Sequence, residues 1–359
     1  MYNSQLNILI CPLGWGLGHA SRDIPIIEML LRKGHRVIVA GDKLQLELIK
    51  QRFPSIDTIP FPSLKVVFTR KSNQLLPLLW IALRLPFFNL WEHFKLKTLI
   101  NQYKVDVVIS DNRYGLWNKS VKTVIITHQL TVIPPFPFKW AMPITRIITK
   151  KWLSRFNQVW IPDFNVDNSI AGILSEPNGL GNLHYIGLLS RFSNIGIDSQ
   201  FNGFEMVVVA SGPDPQRPIF IDISAKLAQK WKLNCLIIEG NPFNGIIPRN
   251  IDGVWHVGHL SDLQFALAVK NSKYLIVRGG YSSVMDLLTL GVSGLIVPTP
   301  GQTEQEYLAE YLSEKGYFGY SAQGNLLNID IADMQCFQIN PMSADDQLMG
   351  AMKELDSFR

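Results

Sequence analysis

The feature that most constrains this chain is an alternation: short apolar, β-branched runs are followed by stretches of helical periodicity, and the series occurs twice. The first series reads as strands at 6–11, 36–41, 105–110, 122–127 and 158–162, with helical stretches such as ASRDIPIIEMLLRKG between them. The second reads as strands at 205–211, 234–240, 253–258, 273–279 and 293–298. Strands that are apolar throughout and separated by helices build parallel sheets covered on both faces. At 359 residues the chain exceeds what one core usually serves. The expectation is therefore α/β, with two Rossmann-like domains and a cleft between them: residues 1–187, residues 188–342, and a C-terminal helix over 343–359 that crosses back to the first domain. The stretch 187–204 is polar and glycine-containing, which suits a linker.

Composition removes several classes. With 47% hydrophobic and 18% charged residues the chain is too apolar to be disordered and too varied to be fibrous. Three distant cysteines without CxxC spacing cannot form a disulfide framework and fit a reducing, cytoplasmic setting. The opening MYNSQLNILICPLGWG lacks the basic start of a secretory signal. The most apolar stretch, Leu75 to Leu90, is shorter than a bilayer requires and contains Pro77, Arg84 and Pro86, so it is not expected to cross a membrane; a helix lying on a membrane surface and a helix packed inside the domain are both open readings. The net charge of +5 is uneven: residues 1–187 hold 22 Lys+Arg against 11 Asp+Glu, and residues 188–359 hold 12 against 18. In the first half the positive residues mix with aromatic and aliphatic ones, as in FPFKWAMPITRIITKKWLSRF. That pattern fits a solvated face or a peripheral surface against anionic lipid at the inner face of a membrane. No zinc-finger, helix-turn-helix or RNP pattern supports nucleic acid as a partner.

Directly after the first strand comes PLGWGLGHASRD, with Gly14, Gly16 and Gly18 ahead of His19. Small residues there let backbone N–H groups and a helix N-terminus approach a polar or anionic ligand. A dinucleotide-binding oxidoreductase is one reading, with Asp42 near the ribose-binding distance, but His19 stands where that fingerprint needs a small residue. His19 on the carboxyl edge of a parallel sheet faces the side where α/β proteins bind ligands; a packing or capping histidine is the plainer alternative.

The densest segment is YLIVRGGYSSVMDLLTLGVSGLIVPTPGQTEQEYLAEYL. A strand runs into Arg278, Gly279, Gly280, Tyr281, Ser282 and Ser283, gathering a guanidinium, hydroxyls and free N–H groups at one helix start, which suits a diphosphate. Asp286, one turn on, can accept from a ribose. Gly301, Gln302, Glu304 and Gln305 offer polar groups to sugar hydroxyls. A surface salt bridge and a plain N-cap account for Arg278 and the serines singly, but not for the succession.

These residues resemble the donor half of GT-B glycosyltransferases, both family 28 and the UDP-glycosyltransferases. The HCGWNS box of the plant enzymes reads as RGGYSS, and family 28 places an arginine at its first position, as Arg278 does. The resemblance implies a GT-B fold, two Rossmann-like domains with parallel sheets facing across a cleft. It also implies a nucleoside-diphosphate-sugar donor, most naturally UDP-linked. Asp286 corresponds to the ribose-binding acid and Glu304-Gln305 to the Asp-Gln pair that holds the donor sugar. Ser211 and Gly212 stand where family members contact the phosphates. No stacking tryptophan is present, so VGHLSD would hold the base through backbone groups and Leu260. By the same resemblance His19 is the base that activates the acceptor and Asp111 its orienting acid, although Asp111 could instead cap the following helix. His128 also reaches the sheet edge.

The implied reaction is inverting, because one base without a paired nucleophilic carboxylate points to a single displacement. No DxD motif is present, and Arg278 with the helix dipole can neutralise the departing diphosphate, so neither a metal nor a cofactor is expected. The acceptor is expected on the basic half, as a glycan or lipid-linked hydroxyl of cell-envelope synthesis. Competing readings are a nucleotide-sugar hydrolase or a 2-epimerase using Glu304 and Glu306, and a non-catalytic nucleotide-sugar binding protein.

Overall fold

The computed structural model describes residues 5–70, 74–193, 195, 203–342 and 345–356. The chain divides into two compact units: 1–66, 76–190 and 344–359 form the first, and 67–75 with 191–343 form the second. Of the expected linker, residues 194 and 196–202 lie outside the described residues. The described flanks belong to the units themselves: Leu188 and Leu189 are buried in the first, and Phe192 stacks on Phe265 in the second.

Unit 1 is built on seven strands: β1 (Asn7–Cys11), β2 (Arg36–Gly41), β3 (Asp57–Pro60), β4 (Val107–Asp111), β5 (Lys122–Ile126), β6 (Gln158–Ile161) and β7 (Leu183–Tyr185). They form one parallel sheet in the order β3-β2-β1-β4-β5-β6-β7. Its helices are α1 (Gly18–Arg32), α2 (Lys43–Arg52), α3 (Leu75–Tyr103) and α4 (Met142–Leu153). Alternate residues of β1 and β2, Leu9, Cys11, Ile38 and Ala40, pack with Leu96 and Ile100 of α3. Further along the sheet Ile125, Val159 and Ile161 pack with Leu153 and Phe156 at the end of α4. The period of two that puts these side chains on one face explains why each strand reads as an apolar run when both faces are covered.

Unit 2 holds β8 (Met206–Val209), β9 (Cys235–Ile238), β10 (Arg249–Ile251), β11 (Val254–Val257), β12 (Tyr274–Arg278), β13 (Val292–Ser293), β14 (Leu295–Val297), β15 (Gly319–Tyr320) and β16 (Phe337–Gln338). The main sheet has the order β10-β11-β9-β8-β12-β14-β15 and is parallel except for β10, which turns back along β11; β13 and β16 pair separately. Helices α5 (Gln216–Lys230), α6 (Asp262–Asn271), α7 (Tyr281–Leu290) and α8 (Thr303–Glu314) connect the strands. The ten strands expected from sequence are present. The short strands β3, β7, β10, β13, β15 and β16 were not expected; each is two to four residues long, too short for alternation to register. Helix α9 (Asp345–Asp356) packs within unit 1, where Lys33 donates to the Met352 carbonyl and Gln158 donates to Glu354.

One expectation is corrected. Pro77, Arg84 and Pro86 do not interrupt the apolar stretch, because α3 runs unbroken for 29 residues and is long and apolar enough to cross a membrane by length and composition alone. Pro77 sits in the first turn, where its missing N–H costs nothing, and Pro86 removes a single internal bond. The C-terminal half of α3 is tied to the sheet through buried Glu92, Leu96 and Ile100. Its N-terminal half leaves Leu76, Trp80, Leu83 and Phe87 exposed.

Candidate active site

In unit 1 the strand order reverses at β1, and ligands of open α/β sheets bind beyond the carboxyl ends of the strands at such a point. The register pairs Cys11 with Ser110, so Asp111, the last residue of β4, stands beside the loop that leaves β1 for α1. His19 lies in the first turn of α1, and its Nδ1 is 2.9 Å from Asp111 Oδ2. Arg22, three residues on and therefore on the same helix face, donates from Nε to Asp111 Oδ2 at 2.9 Å and from Nη2 to Oδ1. Asp111 and Arg22 are buried, while His19 keeps one edge open, its side chain 17% exposed.

Burial alone would raise the Asp111 carboxyl, but the Arg22 and His19 charges and hydrogen bonds outweigh it and bring it down to about 2. The acid is ionised throughout the physiological range. Burial lowers the His19 imidazole below its ordinary value; Asp111 opposes this, and Arg22 and His128 add to it. His19 is therefore neutral near pH 7, with Nδ1–H donating to Asp111 and Nε2 carrying the lone pair, which is the form a general base requires. Asp23 is fully buried, and its carboxyl oxygens have no hydrogen-bond partner among the described residues. Burial and the Asp111 charge push its carboxyl well above the ordinary range, which favours its neutral form. His128, just beyond β5, is buried on the same edge.

The glycine loop is held from below. Gly14 donates to Ser63 Oγ, the Ser63 N–H donates to Asp42 Oδ2, and a Cβ at Gly14 would sit 1.8 Å from that carboxylate. Only glycine fits. Asp42 is thus spent on the loop, which leaves a dinucleotide reading without its ribose acid. Gly16 has φ +118 and its carbonyl accepts from Gln45, while Gly18 opens α1 with no side-chain cap on the helix.

In unit 2 the corresponding reversal falls at β8, between β9 and β12. Ser211 and Gly212 follow β8, with Gly212 at φ +106, and Gly279 and Gly280 follow β12. Gly280 is the N-cap of α7; no side chain caps the helix, and a Cβ at Gly280 would meet only Ser283 Oγ, at 4.0 Å. The N–H groups of Ser282 and Ser283 lie in the first turn of this positive helix end, which no side chain caps, as an anion site needs. Gly279 permits a close approach: a Cβ there would lie 3.1 Å from Ile296 and 3.4 Å from the Gln305 carbonyl, so the start of α8 packs against it.

Arg278 differs from expectation. Its guanidinium is buried rather than offered at the mouth of α7. It donates to the carbonyls of Val297, Pro298 and Gln216 and to Gln323, and lies 4.0 Å from the Phe220 ring centroid. Burial lowers it to about 9. A strand-end arginine beside glycines points its long side chain back beneath the loops, where it ties the start of α5 to the exit of β14. The α8 residues also serve their own loop: Gln305 Oε1 accepts from the Thr299 N–H and Glu306 from the Gly301 N–H, while Gln302 is the N-cap and Glu304 lies in the first turn. Leu260 is buried just ahead of the capping box that starts α6. Asp286 is held by Arg191, whose Nε is 4.0 Å from Asp286 Oδ2 and whose Nη1 is 3.2 Å from Asp262. Sequence reading missed Arg191, placed in the linker, and Arg22, whose spacing from His19 was visible in GHASRD.

The chain is also similar to known proteins. Residues 262–334 match the model of the glycosyltransferase family 28 C-terminal domain. A protein of Methanosarcina acetivorans described as an uncharacterized glycosyltransferase is 26% identical over 329 residues, 87% of this chain and 84% of that one. Among solved structures, the glycotransferase of kitacinnamycin superposes with a TM-score of 0.60 at 14% identity, over 98% of this chain and 95% of that one. The spinosyn rhamnosyltransferase in complex with thymidine diphosphate gives 0.58 at 12% identity, over 98% and 93%. The chain is a glycosyltransferase of GT-B fold whose second unit carries a domain of the family 28 type.

Proposed function

We propose that the protein transfers a sugar from a nucleoside-diphosphate sugar, UDP-linked in the first instance, to a hydroxyl acceptor, with inversion and without a divalent metal. The observation that carries the reading is His19 Nδ1 at 2.9 Å from a buried, ionised Asp111. In this reading Nε2 takes the proton of the acceptor hydroxyl, the oxygen forms its bond to the anomeric carbon from the face opposite the diphosphate, and the bond from that carbon to the diphosphate oxygen breaks as the diphosphate departs. The uncapped start of α7, with Ser282 and Ser283, receives the leaving diphosphate, and Ser211 and Gly212 stand on the neighbouring loop. Buried Arg278 adds positive charge beneath it. Asp286 meets the ribose, and Gln302, Glu304 and Gln305 meet the sugar. That a similar structure binds thymidine diphosphate supports a nucleoside diphosphate as the donor's leaving group.

The acceptor, in the same proposal, is presented at the inner face of a membrane. On α3, Trp80, Leu83 and Phe87 are exposed, and on the segment that includes α4, Phe136, Trp140 and Ile147 are too. Basic groups accompany them: Arg84 lies over Trp80, Lys97 over Phe94, and Lys150 and Lys151 end α4. Trp117 stacks on His93 of α3 and lies under Arg155 just past α4, which links the two apolar helices. Aromatic side chains with interleaved cations suit an anionic lipid interface.

Turnover of nucleotide sugars with wild type and His19→Ala is the test. The variant is expected to lose roughly 10²–10⁴-fold in kcat while binding the nucleoside diphosphate normally. Retained turnover in His19→Ala, or a retained anomeric configuration in the product, contradicts the mechanism.

A further inference from the structure

His19 and Asp111 alone make a two-residue relay, but the buried carboxylate has a third partner. Arg22 approaches Asp111 with two N–H groups, Nε to the same Oδ2 that faces His19 and Nη2 to Oδ1. We propose that Arg22 is a positioning residue for the His19–Asp111 pair, which fixes the carboxylate plane and sets the charge that His19 experiences. The role rests on the reading of His19 as the base.

Three observations carry it. A planar guanidinium that grips both oxygens removes the carboxylate's rotation about its own axis, a constraint that a point cation cannot impose. Arg22 and Asp111 are nearly inaccessible, so water cannot replace either contact. Arg22 also sits on the same helix as His19 at a spacing of three, so one rigid element carries the base and the clamp that aims its orienter.

The charges explain why a clamp of this kind matters. The groups that face His19 are Asp111 from β4, Arg22 from its own helix and His128 from the segment after β5. Asp23, on the same helix, has its carboxyl pushed toward the neutral form by burial and by the Asp111 charge. Asp111 and Arg22 together are close to neutral, so the imidazole is not locked in its charged form by an unbalanced carboxylate. It keeps the tautomer that Asp111 imposes while remaining able to accept a proton. Without Arg22 only the His19 hydrogen bond, among the described residues, would hold the carboxylate, whose charge would then act on His19 uncompensated.

The test measures the His19 imidazole by nuclear magnetic resonance titration alongside steady-state turnover, in wild type, Arg22→Lys and Arg22→Met. Arg22→Lys keeps the charge and loses the fork: kcat is expected to fall about tenfold or more, with KM and the His19 pKa little changed. Arg22→Met removes the charge: the His19 pKa is expected to rise by about 1 unit, carrying the acidic limb of kcat/KM to higher pH. If both variants match wild type in kcat and imidazole pKa, or if activity falls only in step with melting temperature while the limb stays fixed, Arg22 is a structural residue and the proposal is overturned. The resonance titration needs no turnover. A wild type inactive with every donor would therefore overturn the glycosyl-transfer reading separately, and leave the coupling of Arg22 to His19 to be decided by the spectra.

Discussion

At the residue scale the site depends on how three acids and bases on one sheet edge are kept in different states by their surroundings. Asp111 is brought down to about 2 although buried, Asp23 four residues from His19 is pushed the other way, and His19 is lowered by burial. Two outcomes follow. Because a base works unprotonated and the His19 value lies below 6.5, kcat/KM is expected to hold down to pH 6.5 and fall at lower pH. A pH–rate profile whose acidic limb lies above pH 7 would contradict the assignment. Asp23 affects stability in the opposite sense to Asp111. Its folded value is raised above 3.8, so unfolding lets it ionise, and stability is lost as pH rises from the ordinary carboxylate range toward that raised value. Asp23→Asn removes that slope, and urea midpoints at pH 5 and pH 8 are expected to show the variant gaining on wild type as pH rises. An equal pH slope in the two proteins would mean that Asp23 is ionised in the fold. Sequence made His19 and Asp111 legible because both end or follow apolar runs. It did not reveal that Arg278 turns beneath its loop, since side-chain direction depends on the carbonyls of Val297, Pro298 and Gln216, which are distant in sequence.

At the element scale α3 joins two environments. Its C-terminal half is fixed by Leu96 and Ile100 in the core and by Glu92, which accepts from Arg113 Nε at 2.7 Å. Arg113 also donates to the carbonyls of Phe61 and Pro62, so the residue two beyond Asp111 anchors the helix and the loop after β3 together. Arg113→Met strands a buried carboxylate and is expected to cost about 3–5 kcal/mol, read from the shift in urea midpoint. A change under about 1 kcal/mol would show that the pair is expendable. The exposed half tells a different story: Phe87 is 78% and Trp140 70% exposed. Replacing both by serine is expected to weaken binding to anionic vesicles by about tenfold or more with melting temperature unchanged. Equal binding by the variant, or none by wild type, removes the lipid surface from the account. Helix continuity across Pro86 was not legible from sequence, because an interior proline ordinarily kinks or ends a helix and only the structure shows that this one does not.

At the scale of the whole molecule, the doubled alternation of apolar runs and helices was enough to read two parallel sheets, because parallel strands need crossovers and buried strands need apolar residues on both faces. The unit assignment was less accessible: residues 67–75 cluster with the second unit, and Gln216 at the start of α5 donates to the Thr69 carbonyl, a contact that no local pattern announces. The order of strand ends, loops and helix starts in unit 2 was legible, and less so their detail, since Gln305 and Glu306 brace the 299–301 loop. The central claim is that this fold binds a nucleoside-diphosphate sugar and uses His19 to activate its acceptor. The measurement that tests it most directly is calorimetric titration of UDP, GDP, dTDP, NAD and NADP into wild type and His19→Ala, followed by turnover with the matching nucleotide sugar. The account predicts saturable binding of one nucleoside diphosphate to both proteins, with turnover only in wild type. Binding confined to a dinucleotide, or equal turnover by both proteins, would contradict it.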